Sequence, residues 1–108
     1  MKTSVIELNE ENFAQEVLGT KHPFVVQFWT GWSAACKNMT SFLESLAEDE
    51  CATIKVGRVN VEHHEDLAER YGVRCAPTVL IFNQGGLKDQ ITGRTTENEV
   101  REKLERLK

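Results

Sequence analysis

A chain of 108 residues, 40% hydrophobic and 28% charged, has the size and composition of one globular domain covering 1–108. Its formal net charge of −4 argues against nucleic acid as the main ligand, because that affinity begins with neutralising phosphates. No run approaches the roughly 20 apolar residues that cross a bilayer, and neither an export leader nor a secreted disulfide framework is legible with three cysteines, so a cytoplasmic protein without a membrane partner is expected.

Thr3 to Leu8 reads as a short first strand. Asn9 is placed to cap a helix through Leu18, with Phe13, Val17 and Leu18 as its apolar face and Gly19 as its stop. Phe24 to Trp29 is a nearly continuous apolar run, the pattern of a strand covered on both faces, interrupted only by Gln27. A turn over Thr30 to Trp32 leads into a long helix from about Ser33 to Asp49, with Met39, Phe42, Leu43 and Leu46 at helical spacing.

Ile54 to Asn60 is the next strand, and His64 to Tyr71 a short helix closed by Gly72 in the left-handed conformation. Thr78 to Phe82 and Lys88 to Thr92 form a hairpin around a turn at Asn83-Gln84-Gly85-Gly86. Thr96-Glu97-Asn98-Glu99 is a capping box for the last helix, which turns Val100, Leu104 and Leu107 inward. The order β-α-β-α-β-α-β-β-α predicts an α/β fold, a central mixed sheet flanked by helices on both faces.

The segment Phe28-Trp29-Thr30-Gly31-Trp32-Ser33-Ala34-Ala35-Cys36-Lys37 resembles the thioredoxin signature F-W-A-x-W-C-G-P-C-K. At matching distances, Arg58-Val59-Asn60-Val61-Glu62 resembles K-x-N-x-D, and Tyr71 to Thr78 resembles Y-G-I-x-x-x-P-T, where that family places a cis-proline. Gly85 and Gly93 fall where it keeps glycines in its last hairpin. The chain thus resembles the thioredoxin family along nearly its whole length, which implies a thioredoxin fold and a role in cellular redox homeostasis.

The resemblance also implies a reaction. In the family a thiolate at a helix N-terminus, stabilised by the helix dipole and free amides, attacks a disulfide and leaves a mixed disulfide. A second cysteine, one turn on, displaces the partner's remaining sulfur. Two thiols of the protein become a disulfide while the partner's disulfide becomes two thiols. Protein substrates held as extended strands and a thioredoxin reductase are the implied partners, with no metal and no cofactor.

Ser33 stands at the attacking position, as either a natural or an engineered replacement, and Cys36 at the resolving one. A hydroxyl without an adjacent base is a poor nucleophile, whereas serine is among the best helix caps, so Ser33 reads as a cap. Gly31-Trp32-Ser33-Ala34-Ala35 loosely mimics a hydrolase nucleophile elbow, but no histidine follows at the required place in the chain. Cys36 is expected to be buried and slow to react. Gln27 occupies the place of a buried aspartate, and Ala34-Ala35 replaces Gly-Pro.

The implied substrate groove comprises Trp32, Ala34, Ala35, Cys75, Ala76, Pro77 and Gly93, with Gln27 and Arg58 in support. Cys75 is expected at its rim, as a tolerated loop residue, a contact for a mixed disulfide or a linked dimer of an otherwise monomeric protein, or a partner of Cys36. Cys51 reads as structural or incidental, and His63-His64-Glu65-Asp66 as a helix start rather than a metal site. Three functions stay open: a disulfide oxidoreductase silenced at Ser33, a redox-silent peptide-binding module, and monothiol chemistry at Cys36 or Cys75.

Overall fold

The computed structural model describes residues 5–49 and 53–107. Strand β1, Val5–Glu7, lies beside β3, Lys55–Asn60, which pairs in parallel with β2, Phe24–Trp29. The chain then reverses: β4, Thr78–Asn83, runs antiparallel to β2, and β5, Gly86–Thr92, antiparallel to β4. The five strands therefore stand in the order β1-β3-β2-β4-β5, a mixed sheet with the apolar runs β2 and β4 inside. This is the thioredoxin fold that the motifs imply.

Each face of the sheet carries its own core. On one, Phe24, Val26 and Phe28 of β2 meet Phe13 and Val17, together with Leu67 and Ala68 of α2, Glu65–Arg70. On the other, Val25, Val79 and Ile81 meet Met39, Leu43 and Leu46 of α1, Ala34–Asp49, and Val100 and Leu104 of α3, Glu97–Glu105. Burial of side chains this size contributes roughly 1.5–3 kcal/mol each before entropy is charged against it. Gly57 in β3 is forced by packing, since a Cβ there would come 2.6 Å from Leu8 and 2.9 Å from Phe24.

The helix predicted from Asn9 to Leu18 is shorter and wider than expected. The Asn9 side chain does accept the N–H groups of Glu11 and Asn12, but Ala14–Leu18 forms a π-helical segment. Leu18 does not join its apolar face; it is 40% exposed. Its carbonyl lies so close to the hairpin turn that a Cβ on Gly85, at φ +82°, would sit 2.6 Å away.

Other elements follow the sequence pattern within a residue or two. Gly72 closes α2 at φ +68°, and Thr96 Oγ1 accepts the Glu99 N–H at the start of α3. Phe42 and Leu107 are only half-buried at the edge of their core. The start of the first predicted strand at Thr3 and Ser4, and Cys51, lie outside the described residues. No helix among the described residues is long and apolar enough to cross a membrane.

Candidate functional site

Strand β2 ends at Trp29 and the chain turns through Thr30, Gly31 and Trp32 before α1 begins at Ala34. Ser33 holds that helix start: its Oγ accepts the N–H of Cys36 at 3.3 Å, and its carbonyl accepts the N–H of Lys37 at 3.3 Å. The turn leaves Trp32 77% exposed, while Cys36, one turn into the helix, is 1% exposed. An indole in water beside a sealed thiol is the first feature of the site.

Behind it, Gln27 ties the helix to the sheet. Its Nε2 donates to the Cys36 carbonyl at 3.1 Å, and its Oε1 lies 3.2 Å from Thr40 Oγ1. Thr40 Oγ1 is also 2.9 Å from the Cys36 carbonyl, so its single proton serves one acceptor at a time. Gln27 is 1% exposed, and its amide makes these contacts through both its nitrogen and its oxygen. Arg58, opposite Gln27 in the β2–β3 register, lays its guanidinium 4.2 Å over the Trp29 ring.

Trp29, Arg58, Cys36 and Thr40 border a cavity of about 260 Å³ on that side of the helix. Arg58 Nε has no well-aligned hydrogen bond there; its nearest anionic neighbour is Glu7 Oε2 at 3.4 Å.

The second wall is the loop before β4. The Ala76–Pro77 peptide bond is cis. Thr78 Oγ1 donates to the Cys75 carbonyl at 2.7 Å, and the N–H of Gly93, at φ +85°, donates to the Pro77 carbonyl at 2.8 Å. These bonds hold Cys75 exposed, with its Sγ 4.0 Å from Thr78 Oγ1. Cys36 and Cys75 are both free thiols.

Between the two walls lies a groove of about 580 Å³. Trp32, Cys75 and Ala76 line it, over a floor that includes Val61, Ala68 and Val73. Ser33 is adjacent to Trp32 in the chain but is spent on the cap. Ala34, Pro77 and Gly93 are not among the residues that line this groove: Pro77 is buried, and Gly93 is hydrogen-bonded to its carbonyl. Ala35 faces a separate cavity of about 330 Å³, together with Phe42 and Arg94.

Sequence reasoning missed the charged rim of the groove. Glu62, Glu65, Glu69 and Arg74 all border it. Glu65 and Glu69 share a helix face by their spacing of four, a signal present in the sequence but identical to that of a solvated helix. His64 turns from the groove and sets Nδ1 2.7 Å from Glu10 Oε1. The Glu10 carboxylate is held below its usual range, chiefly by a backbone hydrogen bond that outweighs desolvation, with His64 adding to the lowering.

A family model described as Thioredoxin matches residues 4–106. The chain belongs to the thioredoxin family. It is similar to the Thioredoxin of Buchnera aphidicola subsp. Acyrthosiphon pisum (strain APS), 33% identical over 101 residues that cover 94% of each chain. It is also similar to Thioredoxin C-2 of Corynebacterium nephridii, 34% identical over 86% of each. With the Thioredoxin M-type, chloroplastic, of Pisum sativum it shares 30% identity over 92% of this chain and 58% of that one.

Proposed function

We propose that this thioredoxin-family protein holds extended segments of protein partners in the groove between Trp32 and the 75–77 loop, and that with Ser33 in place it does not complete dithiol turnover. The observation that carries the reading is the pairing of an open groove with a capped hydroxyl: Trp32 is 77% exposed, while Ser33 Oγ is engaged by the Cys36 N–H. Dithiol exchange needs two thiols one turn apart, and one turn before Cys36 stands the Ser33 hydroxyl in place of the second thiol. A thioredoxin reductase would find no bond to reduce there and becomes a partner only when position 33 carries sulfur.

Binding itself does not need that sulfur. Neither the N–H nor the carbonyl of Ala76 has a backbone partner among the described residues, the condition for adding a strand from another chain. We place this activity in a cytoplasmic monomer. Titrating a labelled extended peptide into protein whose three cysteines have been alkylated tests the reading. Saturable binding supports it, and its absence in folded protein overturns it.

Cys75 supports a second reading, because it is exposed at the groove. Its thiolate attacks a disulfide of a partner or of glutathione; that S–S bond breaks, a mixed disulfide forms and one thiol leaves. Attack by a second copy's Cys75 thiolate on that mixed disulfide releases the partner thiol or glutathione and yields a Cys75-linked dimer. Mass spectrometry after incubation with oxidised glutathione reads the adduct directly, and an unmodified Cys75 removes this reading.

A further inference from the structure

The groove beside Trp32 is sided by charge. Glu62 comes from the turn after β3, and Glu65 and Glu69 from one face of α2, while Arg74 is the one cation among its lining residues. None of the three glutamates is paired with a cation within 4.0 Å among the described residues, nor is Arg74 with an anion. Glu62 reaches only the N–H of Gly31, at 3.5 Å, a long and weak contact. Glu65 and Glu69, four residues apart, repel each other along a six-residue helix.

Other carboxylates of this protein do meet cations. Glu97 and Asp49 both hold Arg101, and Asp89 holds Lys103. What sets Glu62, Glu65 and Glu69 apart is their place together at the edge of an apolar-floored groove, where an incoming cation would meet three carboxylates. We infer that the occupant of this groove is an extended polypeptide segment in which an apolar side chain, seated on Val61, Ala68 and Val73, is flanked by lysine or arginine. The inference rests on the groove reading above and adds the chemistry of the partner. Arg74, at the end near Cys75, leaves room for the partner's backbone carbonyls or a single acid on that side.

Two cysteine-free peptides of equal length test it, each with a central Leu-Val pair, one flanked on both sides by lysines and the other by glutamates. Binding of each is followed by fluorescence anisotropy at low ionic strength. The lysine peptide should bind about five- to tenfold more tightly, the ratio of one or two exposed charge contacts, and the preference should shrink as salt is added.

In the E65Q/E69Q variant, where neutral isosteres also relieve the repulsion within α2, the preference should fall severalfold. In E65K/E69K it should invert. E44Q/E48Q, which removes two exposed charges from α1 outside the groove, should leave the ratio as it was. Equal binding of both peptides overturns the charge assignment while the groove stands. A lysine preference unmoved by E65Q/E69Q overturns it too, because net charge alone would then explain it. Failure of both peptides to bind removes the groove and the inference together.

Discussion

Ser33 and Cys36 are joined by a hydrogen bond, hydroxyl to backbone amide, at 3.3 Å across the first turn of α1. The contact gives the side chain at the attacking position a structural task, and it satisfies one of the amides that a helix start leaves without an internal partner. Ser33→Ala should lower the free energy of unfolding by about 0.5–2 kcal/mol, the usual loss of such a cap, and Ser33→Asp should keep most of it. Urea unfolding curves with an unchanged slope would check both. A silent Ser33→Ala would mean that the cap contributes nothing.

Gln27 and Thr40 brace the same turn from the sheet side. Gln27→Leu keeps the volume roughly constant but removes both bonds, at a cost of about 1 kcal/mol. Since Thr40 Oγ1 contacts both Gln27 Oε1 and the Cys36 carbonyl, Gln27→Leu and Thr40→Val should not add. Chemical denaturation of the two single variants and the double variant measures the coupling. Strict additivity would show that the residues act separately.

The parts of this fold legible in the sequence are those written in apolar spacing. Phe24 to Trp29 and Thr78 to Phe82 have too few polar residues to be anything but interior strands, and Thr96 announces a helix start in its side-chain chemistry. Leu18 departs from the sequence pattern because Ala14–Leu18 winds as a π-helical segment, whereas the apolar spacing is that of an α-helix. The walls of the groove were legible through the residues around Trp32 and Ala76. Its acidic edge was not, because Glu65 and Glu69 look the same in sequence whether their face meets water or a partner.

The two described thiols differ sharply in access. Cys36 is 1% exposed and Cys75 is exposed, so a thiol reagent should modify Cys75 in the native protein and Cys36 only through opening of the structure. Timed labelling with peptide mapping would separate the two. Comparable rates would mean that the start of α1 opens far more readily than its packing allows.

Asp89 on β5 and Lys103 on α3 meet at 3.1 Å. Burial draws the Asp89 carboxyl upward, but Lys103 and the N–H of Gln90 outweigh it and leave it below the ordinary aspartate value. A carboxylate lowered on folding stabilises the native state above the unfolded pKa, and that contribution is lost as pH falls through the folded one. Asp89→Asn should thus cost about 0.2–1 kcal/mol at neutral pH, the range for a solvent-screened pair, and nothing in strong acid. Stability curves of parent and variant across the acid range check the sign; a gap that widens in acid would refute it.

One missing sulfur should separate this chain from its family's chemistry. The direct measurement is the rate at which parent and Ser33→Cys protein reduce a protein disulfide with a small dithiol as electron donor. Ser33→Cys protein should turn over clearly, and the parent not above background. A folded Ser33→Cys protein no faster than the parent, or a parent already active, would contradict it.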